Sequence, residues 1–377
     1  MDFNERPFLV IWETTRACDL ACVHCRAEAM AEPGPDELST NEALTLIRQA
    51  AEMETPVFIF SGGDPLKRKD LPRLIGFAES CGLRTGAIPA VTPLLTKDHI
   101  RSLKESGLDQ IAFSLDAATA AEHDAFRKVD GVFDRTLQCV RWANEIGLPV
   151  QINSLINVHN TQGLDELIGL VEDLDIVFWE VFFLVPTGRG RELPLLDALK
   201  FEEAFEKLYT VSLRDSFLVK VTEAPHYRRF YCEKRAAEGM PAGGSRKFSS
   251  LDPPPGLKRS QGPRGSIGHA PHGVNAGKGF VFVSRNGEVM PSGFLPLSAG
   301  NVRERHLADI YRGAPLLREL RDTSLLKGRC GACFYRELCG GSRSRAYAVT
   351  GDYLAEDPSC AYDPMLGEVR EEVNKRN

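Results

Sequence analysis

Six times in the first 215 residues, a short run of β-branched or aromatic side chains gives way to an amphipathic stretch with helical spacing. The expected strands cover 8–14, 57–60, 84–88, 111–115, 150–156 and 177–185. Between them, Leu44, Ile47 and Ala51 share one helical face, as do Leu71, Leu74, Ile75 and Ala78. Ile100 with Leu103, Leu137 with Val140 and Ile146, Leu164 with Leu167, Ile168 and Val171, and Phe201 with Phe205 and Leu208 mark four more helices. Ser39 and Glu42 have capping-box spacing, and Gly82, Gly107 and Gly147 stand where three helices should stop. Repeated strand-then-helix units bury their strands only in a parallel sheet with helices outside. The fold class is therefore α/β, an open or closed barrel whose reactive groups sit at the C-terminal ends of the strands.

Composition narrows the classes. A length of 377 residues suggests two or three domains, and 43% hydrophobic with 26% charged residues is ordinary globular usage. The net charge of −6 gives no support to a nucleic-acid coat. The longest apolar run, 176–185, is interrupted by Glu180, so no membrane span is expected. The opening residues include Asp2, Asn4 and Glu5 and lack a basic-then-apolar leader, so a cytoplasmic location is expected.

Residues 240–279 hold nine Gly, six Pro and six Lys or Arg against one acid, Asp252. They read as a basic linker or active-site lid, with a plain disordered connection as the alternative. A hairpin follows, with Asn286-Gly287 as its turn. The expected division is a barrel over 1–215, a connecting segment over 216–279 and a small C-terminal region over 280–377. The last dozen residues are charged and should fray.

Seven of ten cysteines fall into two groups. Cys18, Cys22 and Cys25 form C-x3-C-x2-C directly after the first strand. Three thiolates on one loop can hold three corners of a [4Fe–4S] cluster and leave the fourth iron open. Zinc fits this spacing less well, and His24 as a fourth ligand would strain so short a loop. Cys330, Cys333, Cys339 and Cys360 form C-x2-C-x5-C-x20-C, enough to close a second cluster, or to hold a structural zinc. Cys81 and Cys139 fall in helical patterns and read as small core residues; Cys232 is either packing or a further ligand. His226 is a candidate acid–base group or haem-type ligand, or else a surface histidine.

With these motifs in place, the chain resembles the radical S-adenosylmethionine (SAM) superfamily over roughly residues 5–215. The resemblance implies a partial (β/α)6 barrel. It also implies an open iron that binds SAM, and a 5′-deoxyadenosyl radical that abstracts a substrate hydrogen, with the protein supplying orientation and shielding. It assigns SAM contacts to Gly62, Gly63 and Asp64 after the second strand, where Asp64 stands in place of the usual Glu. It adds Ser114, Asp116 and Arg127 around the fourth strand and Asn153 in the fifth. A capped helix or solvated loop explains each of the last four equally well.

The second cysteine group is similar to the auxiliary-cluster extension called SPASM, or its shortened twitch form. Ser292 and Ser342 stand where fuller versions carry cysteine, so one auxiliary [4Fe–4S] cluster is expected rather than two. The phrases Trp12–Cys18, His24–Ala27, Pro291–Leu297, Gly300–Arg303 and Cys339–Pro358 are similar to radical SAM enzymes of alternative haem and haem-d-type synthesis. That likeness implies a tetrapyrrole substrate such as iron-coproporphyrin, loss of CO2 from a propionate, and an auxiliary cluster that accepts one electron. A flavodoxin or ferredoxin would serve as electron donor. Arg189, Arg191, Arg228, Arg229, Arg343 and Arg345 could meet propionates. A peptide maturase forming thioether or carbon–carbon crosslinks is the alternative. It is weakened because only seven residues precede Phe8, too few for an N-terminal peptide-recognition domain. A non-catalytic iron–sulfur carrier would not need the SAM contacts.

Overall fold

The computed structural model describes residues 1–214, 216–239, 266–268, 270 and 273–365. Most of the segment 240–279 read as a linker or lid, and the last dozen residues, lie outside the described residues.

The chain alternates β1 (Leu9–Glu13), α1 (Thr40–Glu52), β2 (Val57–Ser61), α2 (Leu71–Ser80), β3 (Arg84–Ala87), α3 (Lys97–Glu105) and β4 (Gln110–Ser114). There follow α4 (Ala120–Arg127), α5 (Val132–Ile146), β5 (Val150–Ile156), α6 (Leu164–Glu172), β6 (Phe178–Phe183), α7 (Ala198–Ser212), β7 (Leu218–Thr222) and α8 (Tyr227–Ala237). The C-terminal part holds β8 (Phe280–Val283), β9 (Glu288–Met290), β10 (Gly300–Asn301), α9 (Leu307–Gly313), α10 (Pro315–Arg321), α11 (Gly328–Ala332) and α12 (Arg343–Thr350).

All six expected strands form, within a residue or two at each end. They lie in parallel in sequence order, within one sheet ordered β10-β9-β8-β1-β2-β3-β4-β5-β6-β7. The capping box of Ser39 and Glu42 closes α1, whose buried face is Ala43, Leu46, Ile47 and Ala50. Leu44 and Ala51 sit at the edge of that face, so the expected stripe is rotated by a fraction of a turn.

Two elements are additional to those expected. β7 pairs in parallel with β6, and Lys220 and Thr222 on its inward positions alternate with Val219 and Val221, a short period-two pattern that the six expected strands leave out. α4 buries His123 and Arg127 rather than aliphatic residues. The hairpin forms as expected, with Gly287 at φ +89°, yet β8 lies parallel beside β1 and extends the barrel sheet on that edge.

The sheet separates two environments by strict alternation. Val10, Trp12, Phe58, Phe60, Ile111, Phe113, Trp179, Val181 and Val283 point outward and are buried in one continuous core with the helices. Ile11, Ile59, Ala112, Gln151, Glu180, Lys220 and Phe282 point inward and line a cavity. Trp179 is fully buried, and its indole N–H donates to Ser154 Oγ at 2.9 Å. Replacing Trp179 with Ala should cost about 3–5 kcal/mol, because the outer core cannot collapse into the vacated volume without moving β6. Denaturant unfolding of the variant would measure this; a change below about 1 kcal/mol would show the outer layer to be loosely packed.

Candidate active site

Cys18, Cys22 and Cys25 occupy the loop leaving β1, clasped from four directions. From β2, Gly63 N–H donates to Thr15 O at 2.7 Å and Asp64 N–H to Ala17 O at 2.6 Å. From α4, Phe126 O accepts Val23 N–H at 3.1 Å. From the loop after β6, Arg189 donates its backbone N–H to Cys25 O at 3.1 Å and its Nε to Cys22 O at 2.9 Å. Within the loop's own return, Cys18 N–H donates to Met30 O at 2.7 Å. The glycines permit this closeness. A Cβ on Gly63 would stand 2.7 Å from Arg16 O, and one on Gly62, at φ +148°, 2.7 Å from Thr15 O.

Hydrogen-bond donors point at two of the three sulfurs. Leu20 N–H points at Cys18 Sγ (3.4 Å) and Arg127 Nη1 at Cys22 Sγ (3.6 Å). Burial, together with the negative potential of Asp64, Cys22 and Cys25, pushes the Cys18 thiol up to about 12, although the Leu20 N–H opposes this. Deprotonating such a group takes a bound cation. His24 is no fourth ligand; its ring stacks on Phe126 with centroids 4.5 Å apart, and burial drops it to about 3.

Of the expected SAM contacts, Gly63, Asp64 and Arg127 touch this loop. Asp64 is fully buried, and burial raises it to about 6. Its Oδ1 accepts from Leu66 N (3.1 Å) and Ala90 N (3.2 Å), while Oδ2 has no partner among the described residues. A buried carboxylate oxygen left open beside the cysteine loop suits a cationic ligand group such as the SAM ammonium. Ser114, the last residue of β4, stands opposite Asn153, in the middle of β5. Asp116 and Arg127 are engaged with each other. Burial opposes the charge on Asp116, but Arg127 beside it holds it below the ordinary carboxylate range. Asp116 also accepts Leu155 N–H at 2.9 Å and is 2% exposed, so it orients Arg127 and offers no open edge.

The four cysteines of the second group line one pocket together with His226, Arg229 and Asp357. Three backbone N–H groups donate to their sulfurs: Tyr335 to Cys333 (3.3 Å), Gly341 to Cys339 (3.4 Å) and Asp357 to Cys330 (3.4 Å). N–H donors aimed at sulfur are one of the means by which proteins tune iron–sulfur sites. Burial pushes Cys360 up to about 11 and raises Cys333 and Cys339. Among the described residues no three His, Cys, Asp or Glu side chains converge on the position of a single metal ion. His226 is no surface residue. It is fully buried against Phe201 and Phe205, 3.7 Å from Asp357, and burial drops it to about 3. It borders the cysteine pocket and not the central cavity. Cys139 and Cys232 are buried and Cys81 half-buried.

The central cavity encloses about 1340 Å³, including the part open to solvent. A polar chain crosses it. Gln110 Nε2 donates to Gln151 Oε1 (2.5 Å), Gln151 Nε2 to Asn153 Oδ1 (2.6 Å) and Glu180 Oε2 (3.0 Å), and Lys220 Nζ to Glu180 Oε1 (2.7 Å). None of Gln110, Gln151, Glu180 or Lys220 was singled out from sequence; polar residues at inward strand positions are the signal that could have found them. Of the arginines expected to meet an anionic substrate, Arg228 lines the cavity. Arg345 is buried against Asp357, Arg229 is held by Glu202 and Glu233, and Arg189 supports the first cysteine loop. Arg26, next to Cys25, also lines the cavity, paired with Glu13 at 3.1 Å and lying over the Phe282 ring.

A family profile for the Radical SAM superfamily matches residues 12–174. An AdoMet-dependent heme synthase of Nitratidesulfovibrio vulgaris is 37% identical over 94% of this chain and 92% of its own. Another, from Methanosarcina barkeri, is 36% identical over 95% of this chain and 97% of its own. A PqqA peptide cyclase of Granulibacter bethesdensis is 27% identical over 100% of this chain and 93% of its own. Among solved structures, Streptococcus suis SuiB bound to precursor peptide SuiA superposes with a TM-score of 0.69 at 17% identity, over 95% of this chain and 76% of that one. No helix among the described residues is long and apolar enough to cross a membrane.

Two outcomes follow from the geometry. Gly63→Ala should displace the cysteine loop from the β2 turn, so that iron uptake at the first group falls while the second group still loads. Unaltered iron content at both would refute the close-approach argument. Asp64 keeps its proton up to about pH 6 in the folded chain but only to 3.8 when unfolded. Its contribution therefore favours folding below the unfolded value and is lost as the pH rises through about 6. Asp64→Asn keeps the cap and carries no charge. The metal-free variant should gain stability over the parent between pH 4 and pH 7, on the order of 3 kcal/mol at most. A stability difference that stays flat across that range would contradict the assignment.

Proposed function

The chain belongs to the radical SAM superfamily, whose fold binds SAM and a [4Fe–4S] cluster, and on that premise we propose that it oxidatively decarboxylates or otherwise modifies a tetrapyrrole side chain of the iron-coproporphyrin kind. The observation that carries the reading is the likeness to heme synthases over 94% and 95% of this chain. The cavity supports it. It borders on Arg26 beside Cys25 and on Arg228, which donates to the carbonyl just before Cys339.

In this reading Cys18, Cys22 and Cys25 hold the catalytic cluster, and Cys330, Cys333, Cys339 and Cys360 hold an auxiliary [4Fe–4S] cluster. When bound, cluster and SAM supply one-electron cleavage to a 5′-deoxyadenosyl radical. The chain's own groups do the positioning. Asp64 and the Gly62-Gly63 turn receive the SAM amino group, Ser114 and Asn153 face its ribose, and Arg127, oriented by Asp116, supports the Cys22 thiolate. His226 serves as packing behind the auxiliary cysteines. The three-part division of barrel, connecting segment and cluster-bearing region, a cytoplasmic location and a flavodoxin- or ferredoxin-type electron donor belong to the same reading. Peptide crosslinking is the second reading, supported by the likeness to PqqA peptide cyclase.

The test uses protein prepared without oxygen and reconstituted with iron and sulfide, then incubated with SAM, a strong reductant and iron-coproporphyrin. The expected product has lost one CO2 and two hydrogens per reacted propionate. Replacing Cys18, Cys22 and Cys25 together with Ala should remove about four irons and all 5′-deoxyadenosine. Deoxyadenosine with unchanged porphyrin would sink the tetrapyrrole reading and favour the peptide one. No deoxyadenosine from fully loaded protein would sink both.

A further inference from the structure

One carboxylate on the wall of the central cavity is held by hydroxyl groups and, among the described residues, by no cation. Glu223 directly follows β7, is half-buried and lines the cavity. Three serine hydroxyls from two distant segments donate to it: Ser292 (3.2 Å) and Ser344 (3.0 Å) to Oε1, and Ser342 (2.6 Å) to Oε2. Its backbone is left-handed, at φ +58°. That conformation is strained for a residue with a Cβ and persists where the surroundings enforce it, most often at functional sites. Here the fully buried Arg345 enforces it, donating Nη2 to the Glu223 carbonyl at 2.6 Å.

The cations of the cavity wall and of the layer behind it are committed elsewhere. Arg345 pairs with Asp357, Arg26 with Glu13 and Lys220 with Glu180, while Arg228 donates to Leu338 O and Val274 O. Burial keeps His226 neutral. Ser342 caps α12, and the partial positive charge of that helix end, about half an elementary charge, meets only part of the carboxylate's. A charge withdrawn from water calls for a counter-charge, and the remainder is left to a ligand. The other carboxylate of the wall, Glu180, has no such vacancy, since it accepts from Lys220 (2.7 Å), Thr222 (2.7 Å) and Gln151 (3.0 Å). Among the described residues that line the cavity there is no His, Cys, Met or Tyr. Glu223 is thus the available metal-ligating side chain.

An iron-coproporphyrin carries its negative charge on propionates at the rim. Its positive charge sits at the centre, where ferric iron exceeds the charge of the ring. We propose that Glu223 is the protein's contact to the metal of a metallotetrapyrrole substrate, its carboxylate oxygen standing on the axial side of ferric iron. The inference rests on the tetrapyrrole reading. Anionic oxygen suits ferric iron, as tyrosine oxygen does in some haem proteins. The three serines fix the direction of the carboxylate. Phe182 and Phe294, with ring centroids 6.4 Å apart, and Phe282 give the cavity apolar aromatic surface for the macrocycle. Its volume of about 1340 Å³, which includes the part open to solvent, is large beside the roughly 300–1,000 Å³ of ordinary small-molecule sites. Glu223 is a substrate-binding residue that selects the metallated ring over the metal-free one.

The experiment titrates the full-length, reconstituted protein, free of reductant, with ferric coproporphyrin and separately with metal-free coproporphyrin. Soret absorbance reports binding, and electron paramagnetic resonance reports the bound ferric iron. The parent should bind the ferric form about tenfold more tightly than the metal-free form, or better. Glu223→Gln keeps the size of the side chain and its acceptor oxygen. It should weaken the ferric form by about tenfold and change its Soret and resonance signals. Metal-free binding, SAM binding and the iron held at both cysteine groups should stay at the parent level. If Glu223→Gln fails to fold, Glu223→Asp serves, because it keeps the charge but withdraws the oxygen by one methylene; its ferric spectrum should then differ from the parent's. Equal affinity of the parent for the two porphyrins, an unchanged ferric spectrum in the variants, or a loss shared equally by both porphyrins would overturn the proposal. So would a loss of SAM affinity with porphyrin binding intact, which would assign the carboxylate to the sulfonium. Binding of neither porphyrin by the parent would overturn the tetrapyrrole reading itself.

Discussion

The backbone contact between the loop leaving β1 and the turn leaving β2 is the interaction on which the site depends. Two hydrogen bonds, from Gly63 and Asp64 to Thr15 and Ala17, place the cysteine loop against the strand ends. They form because neither glycine carries a Cβ. The same turn buries Asp64 with one carboxylate oxygen open, so a single close approach yields both the thiol platform and the group poised beside it. Arg189 and Phe126 then hold the loop from the far side, which ties the ends of β1, β2, β4 and β6 into one unit.

A second constraint is the division of the sheet into an apolar outer face and a partly polar inner one. The outer face makes the core with the helices and accounts for the barrel's stability. The inner face is left unfilled, and its polar groups satisfy each other along Gln110, Gln151, Glu180 and Lys220. Buried polar groups persist when paired in this way. The cavity they line is continuous with residues adjoining both cysteine groups, so a substrate held there would lie between the two.

The two cysteine groups share a mode of support. At the first, Asp116 pairs with the guanidinium of Arg127, which points at Cys22 Sγ; at the second, carbonyl oxygens hold Arg343, whose Nη2 points at Cys330 Sγ. Burial raises the Cys18 thiol at the first and those of Cys333, Cys339 and Cys360 at the second, and both pockets aim N–H donors at sulfur.

Periodicity and spacing carried the parallel sheet, the six strands, the hairpin turn and the grouping of the cysteines, because each is written in local sequence. Alternation specifies a strand, and a glycine or a short cysteine spacing specifies a turn or a ligand loop within a dozen residues. The burial of His226 behind the second pocket, the polar chain across the cavity and the contact of Arg228 with the chain before Cys339 were not readable. Each joins residues far apart in the chain: Arg228 to Leu338, Gln151 to Glu180, His226 to Asp357. Local sequence states which residue types are available. Only the folded chain decides which of them share a low-dielectric space, and the charge and protonation of a site depend on that sharing.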